Sequence, residues 1–229
     1  MFKDRADAGR KLAARLTRCK DKHPLVLALP RGGVTVGFEI SQRLGAPLDV
    51  VLVRKIGAPM QPELAIGAVA DGEHPELVVN REVVELLGLP ESYLLEARDQ
   101  QLAEIERRRA IYIGSRPRPP IAGSTAIVVD DGIATGATAR AALLAVRRAG
   151  PSRLVLAVPV AAPDTIAELR RNVDEVECLE MPPDLMAIGL HYENFQQVTD
   201  DEVIEMLAKA AQMTEAANRG PNASNRAKG

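Results

Sequence analysis

The stretch "IVVDDGIATGAT", from Ile127 to Thr138, is the most informative part of the sequence about its fold. A short run of β-branched residues ends in two adjacent carboxylates, Asp130 and Asp131, and a loop of small residues then leads into a helix-forming run. Continuous apolar strands of this kind are typical of a parallel sheet whose two faces are both covered by helices. The stretch therefore predicts an α/β fold, with its loop at the edge where such sheets bind ligands.

The rest of the chain repeats this alternation of strands and helices. Strands are predicted over 25–29, 48–54, 124–130, 153–160 and 175–181. Helices are predicted over 3–20, 34–44, 91–112, 137–149, 163–172 and 200–212. The region from 55 to 80 is rich in Pro and Gly and predicts a hairpin. We expect one domain over 1–213 and a disordered polar tail over 214–229.

Composition argues against several classes of protein. The formal net charge is −2 and aromatic residues make up 3% of the chain, so neither a basic surface nor a stacking platform for nucleic acid is expected. The opening "MFKDRADAGRK" has no apolar core of a signal peptide, and the longest apolar run, 154–162, is too short to span a bilayer. Two distant cysteines suit a reducing compartment. We expect a cytoplasmic protein without nucleic-acid or membrane partners.

The loop after Asp131 has the chemistry of an anion site. Backbone N–H groups and a helix N-terminus favour a phosphate, and Thr135 and Thr138 add hydroxyl donors. The spacing is not G-x-G-x-x-G, and the loop lacks the lysine of a Walker A motif. The glycine cluster over 32–37 also fails the dinucleotide pattern, so NAD and ATP are poor candidates.

The two carboxylates indicate which ligand the loop would take. Asp130 and Asp131 would repel a phosphate, but a carboxylate accepts hydrogen bonds well from a sugar diol. Two further anion sites are Arg31 in "PRGG" and the pair Arg54–Lys55 at the predicted end of the second strand. The implied ligand is a ribose 5-phosphate that carries pyrophosphate at C1.

These motifs resemble those of a known family. "VVDDGIATGAT" resembles the 5-phosphoribosyl-1-pyrophosphate (PRPP) motif of type I phosphoribosyltransferases, "LALPRGGVTVG" resembles their pyrophosphate loop, and "VVLVRKIG" resembles their basic strand end. From "FKDRADAG" to "YENFQQVTDDEV" the chain resembles a bacterial group of predicted phosphoribosyltransferases of unassigned substrate. The resemblance implies a Mg²⁺-dependent transfer of the 5-phosphoribosyl group from PRPP to a nucleobase-like acceptor, with release of pyrophosphate.

The resemblance also implies roles for particular residues. Asp130, Asp131 and Lys55 would form the catalytic set. The ribose 5-phosphate would be bound by Asp130, Asp131, Ala134, Thr135, Gly136, Ala137 and Thr138. Pyrophosphate would be bound by Arg31, Gly32, Gly33, Arg54 and Lys55. Mg²⁺ would be held mainly by PRPP, with Asp130 or Asp131 as the candidate protein ligand.

The family places acceptor recognition in a small hood beside the parallel sheet. Here the hood is expected from about 1–22, 56–112 and 182–198, and the segment 56–80 is expected to close over the site. Leu185, Met186 and His191 are the candidates for the acceptor pocket. The alternative interpretation is that Leu185 and Met186 form the hood core and that His191 is a surface residue.

The family resemblance leaves two functions open. The first is phosphoribosyl transfer to a base that the sequence does not identify. The second is a PRPP- or nucleotide-sensing regulator that kept the fold without transfer, because the segment 182–195 has leucine and methionine at 185 and 186, where relatives in the group have aromatic residues. Release of pyrophosphate from PRPP separates these two functions. A homodimer is compatible with either.

Overall fold

The computed structural model describes residues 1–59, 61–72 and 75–219. The strands are β1 (Pro24–Ala28), β2 (Leu48–Val50), β3 (Val53–Ala58), β4 (Gln61–Ala70), β5 (Glu76–Val79), β6 (Thr125–Val129), β7 (Arg153–Val160) and β8 (Glu175–Glu180). The helices are α1 (Arg5–Arg15), α2 (Gly32–Leu44), α3 (Arg81–Leu86), α4 (Glu91–Ile113), α5 (Ala137–Arg148), α6 (Pro163–Leu169) and α7 (Asp200–Arg219).

Five of these strands form a parallel sheet in the order β2-β1-β6-β7-β8. Strand β1 pairs with β6 in register from Pro24 opposite Thr125 to Ala28 opposite Val129. As a result, the loops after β1 and β6 leave the sheet side by side at its carboxyl edge. The parallel α/β sheet predicted from the apolar strands is confirmed.

Helices cover both faces of the parallel sheet. On one face, Val26 and Val129 belong to a core shared with buried residues of α1, α2 and α7. On the other face, Leu27, Val128 and Leu156 belong to a core shared with α5 and α6. Alternate strand residues therefore point into two different cores, which explains why these strands are apolar along their whole length.

A separate antiparallel sheet, in the order β3-β4-β5, confirms the hairpin predicted near 55–80. Its alanines Ala68 and Ala70 pack against Ala141 and Ala145 of α5. Small side chains on both sides let the antiparallel sheet approach the helix closely. This smaller sheet corresponds to the hood part of the fold.

The prediction of one continuous strand over 48–54 was wrong. Strand β2 ends at Val50, and the chain then crosses to the antiparallel sheet. The Leu52 N–H donates to Asp71 Oδ1 at 2.8 Å and the Asp71 N–H donates to the Leu52 carbonyl at 2.9 Å. Arg109 joins this crossing, with Nη2 2.8 Å from Asp49 Oδ2 and Nη1 3.0 Å from Asp71 Oδ2. The local sequence does not indicate the break, because the polar residues whose contacts form it are far apart along the chain.

The last helix is longer than expected. Helix α7 runs from Asp200 to Arg219, so the disorder predicted from residue 214 is wrong for residues 214–219. The added turns carry good helix formers, and the Thr214 hydroxyl donates to the Ala210 carbonyl at 3.0 Å. The remainder of the predicted tail, 220–229, lies outside the described residues.

Candidate functional site

The two glycine-bearing loops predicted to bind the ligand meet at the carboxyl edge of the parallel sheet. The Leu29 N–H donates to the Val129 carbonyl at 2.8 Å, which carries the pairing of β1 and β6 into the loops. A Cβ on Gly33 would lie 2.7 Å from that same carbonyl oxygen and 3.1 Å from the Asp130 Cα. A side chain at this position would push the loops apart, so glycine is required for their close approach.

Gly32 makes the second close approach. A Cβ there would overlap the Asp131 carboxylate and would lie 2.9 Å from the Arg5 Nε. Gly32, Asp131 and Arg5 therefore form one compact group in which the "PRGG" loop touches the acidic pair. The peptide bond between Pro30 and Arg31 in this loop is cis.

Arg5 is a site residue that the sequence reasoning missed. Its Nε donates to Asp131 Oδ2 at 2.6 Å, and its Nη1 donates to the Gln196 carbonyl at 2.7 Å. The guanidinium carbon lies 3.8 Å from the centroid of the Phe195 ring. Arg5 lies in "FKDRADAG", within the family resemblance, but its partner lies 126 residues away, so no local pattern indicates its role.

Asp130 and Asp131 differ in their surroundings. Asp130 Oδ1 accepts the Asp131 N–H at 2.9 Å, whereas the Asp131 carboxylate is paired with Arg5. Burial raises the pKa of Asp130 well above its usual range, and the negative charge of Asp131 raises it further. The pair is therefore less negative than two independent carboxylates would be, which favours an anionic ligand beside it.

The predicted phosphate loop leads into α5, a helix of 12 residues. Gly136 has φ 75°, a left-handed conformation that glycine adopts without strain, and directly precedes the helix. The Thr165 hydroxyl donates to the Ala134 carbonyl at 2.6 Å and so ties the loop to α6. Ala134 and Thr135 are exposed, and Thr138 is half-buried. The loop combines an accessible surface with the positive end of a helix dipole.

Arg31 lies directly before α2 and faces α7. Its Nη1 is 3.8 Å from Asp200 Oδ1, and the Tyr112 hydroxyl donates to that same oxygen at 2.7 Å. Burial and the contact with Asp200 raise the pKa of Tyr112 to about 12, so the hydroxyl keeps its proton. An anion bound at Arg31 would therefore have to compete with Asp200 for this side chain.

Arg54 and Lys55 are not at the edge of the parallel sheet where they were expected. Both belong to β3, as neighbours on opposite faces of the antiparallel sheet. Arg54 Nε donates to Gln101 Oε1 of α4 at 3.1 Å, whereas Lys55 is exposed. The structure therefore separates the two basic residues, and their binding of pyrophosphate stays a prediction.

The candidate acceptor residues Leu185 and Met186 have opposite environments. Leu185 is partly buried and packs against the cluster that contains Phe2 and Tyr192. The Met186 side chain is 87% exposed. A short 3-10 turn follows, in which Ile188 occupies the space that a Cβ on Gly132 would need. This contact joins the segment 182–195 to the acidic loop.

His191, the third candidate, lies against β8. Its Nδ1 is 3.2 Å from Glu180 Oε2, and the other oxygen of Glu180 is 2.9 Å from the amino group of Met1. The adjacent Tyr192 reaches the site more directly, because its hydroxyl donates to the Asp131 carbonyl at 2.5 Å. Burial raises the pKa of Tyr192, so this donor remains protonated. Tyr192 is a second contact residue that the motifs did not indicate.

Across the part of the chain that the structure describes, no three or more His, Cys, Asp or Glu side chains are grouped so as to hold a metal ion. Within residues 1–59, 61–72 and 75–219, no helix has both the length and the apolar character needed to cross a bilayer.

Comparison with known proteins identifies the family. A family model described as the phosphoribosyl transferase domain matches residues 2–194. Two curated proteins, from two strains of Mycobacterium tuberculosis and provisionally named phosphoribosyl transferases, are 47% identical over 210 residues. That alignment covers 92% of this chain and 47% of each relative, so the chain spans about half of their length.

A solved structure shares the fold closely. The crystal structure of TT1426 from Thermus thermophilus has a TM-score of 0.79 and 42% sequence identity, and the match covers 91% of this chain and 98% of that one. The family match extends over nearly all of the chain up to residue 194, so it includes both loops and the segment 182–194. The chain belongs to the phosphoribosyl transferase family.

Proposed function

We propose that this member of the phosphoribosyl transferase family binds PRPP and transfers its 5-phosphoribosyl group to a nucleobase-like acceptor. The observation that carries the proposal is the contact of Gly32 with Asp131, which brings a predicted pyrophosphate loop against a predicted ribose site. PRPP has pyrophosphate and ribose hydroxyls on adjacent carbons, so its binding needs these two sites side by side. Neither site alone would distinguish PRPP from other phosphates.

The ribose and its 5-phosphate would be bound by the loop after β6. Asp130 and Asp131 would together hold the ribose diol, with each carboxylate able to accept hydrogen bonds from both the 2- and the 3-hydroxyl. The 5-phosphate would lie over residues 134–138, against backbone N–H groups and the N-terminus of α5. The exposure of Ala134 and Thr135 supports this assignment because the ligand needs an accessible loop.

The pyrophosphate would lie on the "PRGG" loop at the N-terminus of α2. Gly32 and Gly33 would offer backbone N–H groups, and Arg31 would leave Asp200 to contact the anion. Lys55 would approach from the antiparallel sheet, where its side chain is exposed. Arg54 would act from the opposite face only after releasing Gln101.

Mg²⁺ would bind together with PRPP. Asp130 and Asp131 supply hard oxygen ligands of the type that Mg²⁺ prefers, and this ion commonly uses one or two carboxylates plus substrate phosphates rather than a full protein cage. The residues at the acidic loop fit such a shared site. When bound, the ion would stabilise negative charge on the leaving pyrophosphate.

The transfer breaks the bond between C1 and the pyrophosphate oxygen and forms a bond between C1 and an acceptor nitrogen. Positive charge develops on the sugar ring as pyrophosphate takes the electron pair, so nearby carboxylates favour the transition state. The acceptor would enter beside Leu185, Met186 and His191, with residues 56–80 closing over the site to exclude water. The acceptor nitrogen's proton leaves to solvent or to pyrophosphate.

Calorimetry and a pyrophosphate-release assay test this function. The protein should bind PRPP, more tightly with Mg²⁺ present, and should release pyrophosphate with at least one acceptor from a panel of purines, pyrimidines and amines. Binding of PRPP without release on any acceptor would favour a PRPP-sensing regulator instead. The absence of PRPP binding with Mg²⁺ present would refute both functions.

A further inference from the structure

Arg5 is held at the ribose site by three partners that come from two parts of the chain, the loop after β6 and the segment at 195–196. Besides the 2.6 Å contact with Asp131 Oδ2, it donates to the carbonyl of Gln196 and stacks on the ring of Phe195. The side chains of Arg5 and Asp131 are only 11% and 15% exposed. An ion pair that is this well enclosed and oriented has a fixed geometry, unlike a solvent-exposed pair.

The contact determines how the Asp131 carboxylate is presented. Because Arg5 Nε is bound to Oδ2, the orientation of the carboxylate plane is set from α1, whereas Asp130 is held by a different contact, the backbone N–H of Asp131. Tyr192, a further ionisable neighbour, donates to the backbone carbonyl of Asp131 rather than to its carboxylate. Arg5 is therefore a cation that orients this side chain.

Arg5 also lies beside the predicted pyrophosphate loop. Its Nε would be 2.9 Å from a Cβ on Gly32, so its charge is adjacent to the backbone that would receive pyrophosphate. Without that charge, the Asp131 carboxylate would face the same anion with its full negative charge. Arg5 can thus serve both the sugar and the anion, although it belongs to neither motif.

We propose that Arg5 is a positioning residue for PRPP recognition, which fixes the Asp131 carboxylate toward the ribose hydroxyls and offsets its charge beside the pyrophosphate loop. The inference rests on the proposed function. It adds a specificity role for α1, a helix that packs on α2 and the parallel sheet and carries no recognised motif. Two effects follow, one on hydroxyl discrimination and one on pyrophosphate.

The first experiment measures discrimination between ribose 5-phosphate and 2-deoxyribose 5-phosphate by calorimetry. These probes differ by one hydroxyl and need neither an acceptor nor a metal. The parent protein should prefer the ribose form by roughly tenfold, the size expected for a hydrogen bond to a charged group. Arg5→Met should reduce this preference to about threefold or less while the 5-phosphate remains bound. Arg10→Met is the matched control, because Arg10 lies on the same helix but is 56% exposed and pairs with Glu39 at 3.2 Å.

The second experiment compares PRPP with ribose 5-phosphate. Arg5→Met should weaken PRPP more than ribose 5-phosphate, because pyrophosphate then faces an uncompensated carboxylate. Arg5→Lys keeps the positive charge, so it should restore the ratio of the affinities for PRPP and ribose 5-phosphate. It should not restore the preference for ribose 5-phosphate over 2-deoxyribose 5-phosphate, because lysine lacks the planar guanidinium that fixes the carboxylate. If Arg5→Met does not fold, Arg5→Lys still provides the hydroxyl readout, because it should lose the preference for ribose 5-phosphate over 2-deoxyribose 5-phosphate.

The outcomes separate this inference from the proposed function. If Arg5→Met weakens PRPP and ribose 5-phosphate by the same factor, Arg5 has a merely structural role and the inference is overturned. Unchanged discrimination between ribose 5-phosphate and 2-deoxyribose 5-phosphate in Arg5→Met or Arg5→Lys would also overturn it. Failure of the parent protein to bind either PRPP or ribose 5-phosphate would refute the proposed function itself. Loss of hydroxyl preference in Arg5→Met, with the preference kept in Arg10→Met, supports the inference.

Discussion

The edge of the parallel sheet and the parts added to it are built by different means. At the edge, the loops over 30–33 and 130–138 bring backbone groups, small residues and two carboxylates together through the pairing of β1 with β6. The added parts, which are the antiparallel sheet and the segment 182–195, contribute side chains through contacts between distant positions, such as Tyr192 with Asp131. The edge therefore has a sequence signature, whereas the contacts of the added parts join residues that are far apart in the chain and leave no local signature.

This difference has a functional consequence. The edge would bind the groups that every PRPP molecule presents, namely two anions and a diol, so its chemistry is constrained. The added parts would select the acceptor and close the site, and there Met186 is exposed where a flat aromatic residue would fix a base. Variants in the two regions should consequently affect different kinetic quantities.

The largest effect is expected on the antiparallel sheet, from Lys55→Ala. Removing a cation that stabilises a leaving anion commonly costs about 10²–10³ in rate, so pyrophosphate release should fall by that factor. Binding of ribose 5-phosphate should change little, because that ligand has no pyrophosphate. Steady-state turnover and calorimetry measure the two quantities separately.

Arg54→Ala is the matched control for Lys55→Ala. Arg54 is the next residue of β3 but donates to Gln101 of α4, so its removal should affect the free energy of unfolding more than turnover. If the two variants lose turnover equally, then Lys55 has no special position and the charge of the antiparallel sheet acts as a whole. Equal loss of PRPP turnover and ribose 5-phosphate binding in Lys55→Ala would also contradict its assignment.

The next effect concerns the edge, through Gly32→Ala. The added Cβ would overlap the Asp131 carboxylate, and overpacking of this kind costs about 1–3 kcal/mol. If this free-energy cost applies to the conformation that binds PRPP, the affinity for PRPP should drop by about 10- to 100-fold. The affinity for ribose 5-phosphate should drop as well, because the displaced group is the Asp131 carboxylate, which would bind the ribose hydroxyls.

Gly45→Ala controls for a general effect on α2. Gly45 caps the other end of that helix with φ 65°, and no heavy atom lies within 4 Å of its added Cβ. This variant should lower the free energy of unfolding by about 1 kcal/mol through backbone strain, yet leave PRPP affinity unchanged. Weakened PRPP binding in Gly45→Ala would show that Gly32 acts through helix stability rather than through contact with Asp131.

The same division explains what the sequence could and could not predict. The parallel sheet and the meeting of "PRGG" with "DDG" follow from strand periodicity and from glycines that permit close approach, such as Gly33. The break after Val50 was missed because the polar contacts that create it involve Asp71 and Arg109, which are far away in the sequence. Arg5 was missed for the same reason, since no local pattern marks a single arginine at the start of a helix.

A smaller effect is expected where the two regions join, from Tyr192→Phe. The variant removes the hydroxyl that donates to the Asp131 carbonyl at 2.5 Å but keeps the ring between Phe2 and Phe195. Loss of one such hydrogen bond should lower the free energy of unfolding by about 0.5–1.5 kcal/mol, measured by urea denaturation. Phe195→Leu should alter the stacking on Arg5 instead, so matching changes in PRPP affinity for both variants would argue against a specific role of the hydroxyl.

The smallest effect is expected in the acceptor segment, from Met186→Phe. Because Met186 is 87% exposed, the free energy of unfolding should be nearly unchanged. If Met186 contacts the acceptor, a flat ring there should change the relative KM values of purine and pyrimidine acceptors by a few-fold, about 1 kcal/mol or less, while PRPP affinity stays constant. His191→Ala should raise the acceptor KM selectively if the imidazole contacts the base rather than only Glu180.

Leu185→Ala completes this test because Leu185 packs into the cluster with Phe2 and Tyr192. It should lower the free energy of unfolding by about 1–3 kcal/mol, less than for a fully buried leucine, and should not select among acceptors. The contrast between neighbouring residues then distinguishes pocket from core. If Met186→Phe and His191→Ala match the parent protein on every accepted base, these residues do not line the pocket. The acceptor site would then be sought on the antiparallel sheet or on α4, and the segment 182–195 would serve to support Asp131.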